Sequence, residues 1–284
     1  MKPMLASARR LGYAVGAFNI VDYNSARAVV RAAEELRAPV ILQTSVKTVK
    51  FWGAPTIGSW LRELAATSPV PVAVHLDHCT TLEVIVQCIA AGWTSVMIDA
   101  SDKPFEENLA LTKKVLEITE SVGVGVEAEL GAIGGVEDDK QVADEDAHLV
   151  DPDKAMAFCT LPLAVFAPAI GTAHGLYKSA PKIAFDRLEA LGRRTPMPFA
   201  LHGGTGLSDE VFQRCIRLGC AKVNISTQLK HDFIDGFVEH HLDKKEYEPL
   251  KPLRAQFDRV KQQVSQKIRL FGGEGRFEDC QSCP

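Results

Sequence analysis

The chain lacks an apolar run long enough to cross a bilayer. Its most apolar stretch, LPLAVFAPAIGTA at 161–173, is interrupted by Pro162 and Pro168. It falls short of the ~20 residues that a membrane helix needs. The opening MKPMLASARRLGY lacks the apolar segment of a secretory signal. Excess basic charge is missing too: 32 Lys and Arg against 36 Asp and Glu leave a net −4, which argues against nucleic acid as the main partner. The seven cysteines (79, 88, 159, 215, 220, 280 and 283) are odd in number and scattered, as in a reduced, cytoplasmic protein. The one CxxC, Cys280 to Cys283, has no two further ligands close by, so it reads as part of a frayed tail rather than a zinc knuckle. There is no HExxH, no internal linker and no low-complexity segment.

What is present is a globular composition, 46% hydrophobic and 24% charged, over 284 residues, a length that suits one α/β barrel. Short apolar runs alternate with longer helical patterns. Eight runs read as strands: 14–20, 39–45, 70–78, 95–101, 123–131, 163–171, 198–204 and 221–227. Most are near-continuously apolar, as expected of parallel strands covered on both faces. Helices are expected at 25–37, at 81–92 with a stop at Gly92, at 105–123, and at 208–219 between Ser208 and Gly219. This alternation predicts a (β/α)8 barrel over an open doubly wound sheet. Residues 1–284 read as one barrel domain, with 229–273 as a closing helix plus a C-terminal helical arm and 274–284 as a flexible tail. The arm packs either on a neighbouring subunit or on its own barrel. The stretch 137–154 reads as a charge-rich loop.

The apolar run PVPVAV leads directly into His75, Asp77 and His78. Ionisable groups are costly to bury unless paired, hydrogen-bonded or bound to a metal. In a barrel of this kind the C-terminal strand ends form the active face. Sorted by that rule, His78, His174 and His202 share one rim, while His75 faces elsewhere and His148, His231, His240 and His241 fall in helices or the acidic loop. Any one of the three is most simply a satisfied polar residue. Three neutral imidazoles on one rim suit a zinc ion with an open position.

Glycine and acid supply two further patterns. HGL (174–176), HGGTGLS (202–208) and VNISTQ (223–228) follow the last three strands, and Asn224, Ser226 and Thr227 stand where a helix begins. Glycine-rich loops and helix starts let backbone N–H groups approach an anion, and phosphate sites in barrels favour these loops. Asp77 is either a general acid/base or a partner that orients a histidine. Glu127 and Glu129 share one parity, so either is an alternative metal ligand. Glu137, after GAIGG, is either a base on a lid or one more solvated acid.

Together the motifs GAFNI, QTS, HLDH, VMIDAS, VEAELGAIGGVEDD, IGTAHGLY, LHGGTGL and KVNIST resemble the class II, zinc-dependent ketose-bisphosphate aldolases, in register over roughly residues 10–230. The resemblance implies a (β/α)8 barrel, a homodimer or homotetramer, and reversible cleavage of a ketose 1,6-bisphosphate to dihydroxyacetone phosphate and an aldehyde phosphate. Fructose 1,6-bisphosphate is the first choice and tagatose 1,6-bisphosphate the second. Carried over, His78, His174 and His202 match the zinc ligands, and Glu129 a carboxylate near the metal. Asp77 matches the residue that moves the C4 hydroxyl proton, and Glu137 the loop acid that exchanges the C1 proton of dihydroxyacetone phosphate. Gly175, Gly203, Gly204, Thr205, Asn224, Ser226 and Thr227 match the phosphate cradle, and Asn19 and Ser45 positions that face the substrate. The family often binds a monovalent cation, Na+ or K+, beside the cradle.

Two departures stand out. Thr205 replaces a serine common in relatives, and Leu250 stands where many carry an arginine for the distal phosphate, with Lys251, Arg254, Arg259 and Arg276 as substitutes. Rival readings are a Schiff-base aldolase built on Lys222, another metal-dependent aldolase or an epimerase acting on a different phosphorylated sugar, and a non-catalytic scaffold.

Overall fold

The computed structural model describes residues 1–137, 140–142, 148–175, 177, 181–245 and 247–280. The strands in chain order are β1 (Val15–Asn19), β2 (Val40–Ser45), β3 (Val72–Cys79), β4 (Ser95–Ile98), β5 (Gly125–Leu130), β6 (Gly134–Glu137), β7 (Lys140–Val142), β8 (Val165–Pro168), β9 (Ala173–His174), β10 (Phe199–Leu201) and β11 (Cys220–Ile225). Eight of them close into a barrel in the order β1-β11-β10-β8-β5-β4-β3-β2, and every pair in it is parallel. The fold is therefore the expected closed barrel, and the open sheet is set aside.

The helices are α1 (Lys2–Leu11), α2 (Tyr23–Glu35), α3 (Val46–Trp52), α4 (Ala54–Thr67), α5 (Leu82–Ala91), α6 (Phe105–Glu120), α7 (Pro152–Cys159), α8 (Phe185–Arg194), α9 (Asp209–Arg217), α10 (Thr227–Lys244) and α11 (Leu250–Leu270). Local chemistry sets several of their ends. At α2 the Asp22 carboxylate accepts from Ser25 N at 2.8 Å while Asp22 N donates to Ser25 Oγ at 3.1 Å, a reciprocal cap. Gly92 closes α5 in the left-handed region at φ 102°.

The lumen of the barrel has two halves. Below, Val15, Ala17, Ile41, Ala73, Val165, Ala167, Ala200 and Ala221 form an apolar cluster with Met4, Leu5 and Ala8 of α1. The N-terminal stretch, read from the sequence only for its lack of a signal, is thus a helix that closes the barrel floor. Above, the inward positions turn polar.

Three local differences from the sequence expectations bear on the site. The expected strand 163–171 is shorter, Val165–Pro168, and His174 sits in a separate strand, β9. That strand joins a small sheet of order β7-β6-β9, so the expected loop 137–154 begins inside a hairpin and ends inside α7, which starts at Pro152. The arm α11 packs on this same barrel: Asn24 Nδ2 donates to Leu253 O at 2.9 Å and to Gln256 Oε1 at 3.1 Å, and Phe257, Val260, Val264 and Ile268 are buried. Cys283 lies outside the described residues, and no described helix is long and apolar enough to cross a membrane.

Candidate active site

Strand alternation alone sends Asp77 and His78 to opposite faces. A bulge removes that conflict. Leu76 pairs with Val96 and Cys79 with Ile98, so three steps on β3 answer two on β4. Within the bulge His78 takes φ 42°, a left-handed conformation uncommon for histidine and often found at functional sites. Both side chains then reach the upper lumen, with His78 Nε2 4.0 Å from Asp77 Oδ1.

His78, His174 and His202 each turn a ring nitrogen toward one point, the three atoms lying within 4.8 Å of one another. Carboxylates fix two of these rings from behind. His78 Nδ1 lies 2.7 Å from Asp99 Oδ2, and His202 Nε2 lies 2.7 Å from Glu127 Oε1. An ionised carboxylate only accepts, so each of those ring nitrogens carries the hydrogen. The opposite nitrogens, His78 Nε2 and His202 Nδ1, then present lone pairs across 2.9 Å. Two facing lone pairs repel unless a cation lies between or beside them. That donor set, neutral imidazoles braced by carboxylates, fits a metal such as zinc. Glu129 Oε2 lies 3.7 Å from His202 Nδ1, and Glu129 also groups with His78 and Asp99 as a second possible ligand set.

Asp77 is almost fully buried, yet both its oxygens are met by amides. Asn19 Nδ2 donates to Oδ2 at 3.0 Å and Asn224 Nδ2 to Oδ1 at 3.2 Å. The two amide N–H groups hold the carboxylate in a fixed orientation. Beneath lies a charged layer. Lys222 Nζ is 3.0 Å from Glu127 Oε2, and His75 Nε2 is 3.2 Å from the same oxygen. Burial pushes the Glu127 carboxyl up, but the Lys222 charge and the hydrogen bonds from His202 and His75 outweigh it and hold the group well below its usual range. Burial, then the Lys222 charge, lowers His75. His75 also pairs with Ser95 Oγ at 2.8 Å, which makes it a buried bridging residue of the lumen.

The proposed cradle is assembled from three loops. Gly203 has φ 66°, and a Cβ there meets Ala173 O at 2.5 Å; at Gly204 it meets Asn224 O at 2.9 Å. Thr205 Oγ1 accepts from Gln228 N at 3.4 Å. Ser226 stands at the N-cap of α10, whose first residue is Thr227, and Ser226 Oγ is buried with no hydrogen-bond partner among the described residues. An orphaned hydroxyl at the N-terminus of a long helix, where the helix dipole is positive, is a ready anion site. Ser45 is the register partner of Asp77, and its Oγ caps α3 at Thr48 N, 3.2 Å. Gly175 follows His174 directly. Asn224 enters this region with its oxygen on Lys222 and an N–H on Asp77.

Glu137 ends β6, two residues beyond Gly135, the register partner of His174; its side chain lies outside the described part. Three of the four cations weighed for the distal phosphate are paired elsewhere. Arg254 pairs with Asp258 at 3.0 Å, Arg259 with Asp232 at 3.1 Å, and Arg276 with Asp279 at 3.3 Å. Leu250 opens α11 and is 70% exposed.

Asp99 gained no role in this site from the sequence, and Glu127 and Lys222 entered only as an alternative metal ligand and as the lysine of a rival Schiff-base mechanism. Asp99 was findable, because an acid at the end of a strand, here after SVMI, is the same signal that selected the histidines.

Residues 1–276 match the family model described as fructose-bisphosphate aldolase class-II. A D-tagatose-1,6-bisphosphate aldolase subunit GatY of Klebsiella oxytoca is 41% identical over 281 residues, covering 97% of this chain and 98% of that protein. A sulfofructosephosphate aldolase of Alkalicoccus urumqiensis is 36% identical over 277 residues, covering 97% and 96%. Among solved structures, the YdjI aldolase of Escherichia coli has a TM-score of 0.86 at 31% identity, over 97% of this chain and 98% of that one.

Proposed function

The chain belongs to the class II fructose-bisphosphate aldolase family and is a lyase acting on a ketose bisphosphate; from that premise we propose that it cleaves fructose 1,6-bisphosphate, with tagatose 1,6-bisphosphate second, reversibly to dihydroxyacetone phosphate and glyceraldehyde 3-phosphate. The observation that carries this reading is the convergence of ring nitrogens of His78, His174 and His202 on one point beside Asp77, with carboxylates bracing two of the rings. Zinc would be held by His78, His174 and His202 with Glu129 adjacent, and when bound it supplies Lewis-acid stabilisation of the negative charge that builds at the substrate carbonyl.

The chain's own groups do the rest. Asp77, oriented by Asn19 and Asn224, takes the proton from the C4 hydroxyl as the bond from C3 to C4 breaks. Glu137 exchanges the proton at C1, the hydroxymethyl carbon of dihydroxyacetone phosphate. Gly203, Gly204, Ser226 and the start of α10 hold the phosphate of that half, with Gly175, Thr205, Asn224 and Thr227 around them and Asn19 and Ser45 facing the substrate.

Fructose and tagatose bisphosphates differ at C4, the carbon whose hydroxyl Asp77 serves, so both belong in the test. A second reading, another phosphorylated sugar, is favoured by one feature: Leu250 is exposed where an arginine was expected, and Arg254, Arg259 and Arg276 are paired elsewhere. The experiment is a coupled assay for dihydroxyacetone phosphate release from each bisphosphate, with and without a chelator. Release that the chelator abolishes and zinc restores supports the mechanism and ranks the two sugars. No release from either, with zinc still bound, rejects both substrates and leaves the second reading.

A further inference from the structure

Lys222 is fully buried, and a bulge aims it inward. Opposite Phe199 and Ala200 of β10, the partners on β11 step from Cys220 to Lys222. Ala221 is skipped and joins the apolar floor, while the lysine reaches across the lumen to β5. There Nζ lies 3.0 Å from Glu127 Oε2, and on its own strand it donates to Asn224 Oδ1 at 2.6 Å.

Both contacts lead into the reaction centre. The other oxygen of Glu127 braces His202 Nε2 at 2.7 Å, and the amide nitrogen of Asn224 donates to Asp77 Oδ1 at 3.2 Å. The direction of the Asn224 amide matters. Turned the other way, its oxygen faces a carboxylate oxygen, acceptor against acceptor. An ammonium has donors only, so Lys222 keeps Oδ1 on its own side and leaves Nδ2 for Asp77. The opposite flank of Asp77 has the same plan: Gln43 Nε2 donates to Asn19 Oδ1 at 2.8 Å, and Asn19 Nδ2 donates to Asp77 Oδ2. The two flanks differ in one respect. Gln43 is itself an amide with two faces, whereas Lys222 cannot present an acceptor.

We propose that Lys222 is a positioning residue that sets both halves of the reaction centre at once, holding His202 through Glu127 and fixing an N–H on Asp77 through Asn224. The inference rests on the aldolase reading of His78, His174, His202 and Asp77. It also gives the barrel-strand lysine weighed for a Schiff-base mechanism a different task, since its Nζ is enclosed beneath the site against a carboxylate.

The test compares wild type, K222M and the double variant E127Q/K222M. Removing the cation alone leaves Glu127 as a buried charge; the double variant removes that charge, and a glutamine oxygen still accepts from His202. Three quantities are read: zinc affinity by competition with a chelator, exchange of the C1 hydrogen of dihydroxyacetone phosphate with deuterium, and bisphosphate cleavage. Exchange involves no C4 hydroxyl and so does not use Asp77. For K222M, zinc binding weakens by about 10–100-fold, the range for groups that orient a metal ligand. For the double variant, zinc affinity and exchange rise above those of K222M, while cleavage falls at least about tenfold further below wild type than exchange does, a part of what a positioned acid/base contributes. Wild-type zinc affinity in K222M, wild-type cleavage in the double variant, or equal losses of cleavage and exchange in it would overturn the proposal. Should K222M not fold, the double variant decides alone. A wild-type protein that neither binds zinc nor exchanges would fail the parent reading, and that result precedes any variant.

Discussion

The lower and upper halves of the lumen are built from the same strands and differ in everything else. On β1 the inward residue changes from Ala17 to Asn19, on β2 from Ile41 to Gln43 and Ser45, on β3 from Ala73 to His75 and Asp77, and on β10 from Ala200 to His202. Each change spans two residues, about 7 Å along a strand. Below it, mostly small apolar side chains pack with the helix α1 into an apolar floor. Above it, Gln43, His75, Glu127, Lys222, Asp77 and Asn224 form a continuous polar network with almost no exposure. Such a network raises the electrostatic stakes, because its members are worth more, and cost more when unpaired, away from water. The difference teaches that distance along a strand divides the work: the floor holds the barrel shut, and the layer two residues higher is free to carry charge because the floor needs none.

That division has sharp consequences. Asp77→Asn should lower cleavage by about 10²–10⁴-fold, the contribution of a positioned acid/base. The same variant should keep its zinc affinity and unfold within a few degrees of wild type, as read by the coupled assay and a thermal melt. A large fall in melting temperature would mean that the upper layer also holds the barrel together, and the division would break. The reverse case is Ile41→Ala in the floor, where the side chain is fully buried. It should cost about 2–5 kcal/mol of stability, as core truncations do. Its kcat, measured well below the lowered melting temperature, should match wild type; a matching loss of kcat would show that the floor sets the geometry above it.

The eight strands were legible because a parallel barrel strand is apolar on both faces and leaves near-continuous runs in the sequence. His78, His174 and His202 were legible because barrel chemistry collects at strand ends. Two things were not legible, and for one reason. The bulges at His78 and at Ala221 each insert a residue, and periodicity reads only the alternation they interrupt. Strict alternation sends Asp77 and His78 to opposite faces, and it puts Lys222 on one face with Asn224 without showing that the lysine crosses to Glu127. Parity did pair Glu127 with Glu129, but only the register across the lumen distinguishes them: the deeper one braces His202 Nε2, and the higher one lies 3.7 Å from His202 Nδ1. The helix α1 escaped notice because its apolar residues are few, and its buried face, Met4, Leu5 and Ala8, gains meaning only once there is a barrel floor to cover.

The smallest expected effect lies at the edge of the upper half, where β9 and the loop after β10, rather than the barrel strands, carry two of the histidines. Tyr177 accepts from Ala173 N at 3.0 Å and donates to Gly203 O at 2.7 Å. Ala173 precedes His174 and Gly203 follows His202, so one hydroxyl ties together the backbone beside two of the three histidines. Tyr177→Phe keeps the ring and removes only that oxygen. The expected loss of stability is about 1–3 kcal/mol, the range for leaving buried partners unsatisfied. If the hydroxyl sets the spacing of the two imidazoles, zinc affinity falls several-fold in a chelator competition while the strand-borne network around Asp77 and Lys222 is untouched. Loss of stability with unchanged zinc affinity would show instead that the strands alone fix the histidines, and that the loops above them serve only to close the site.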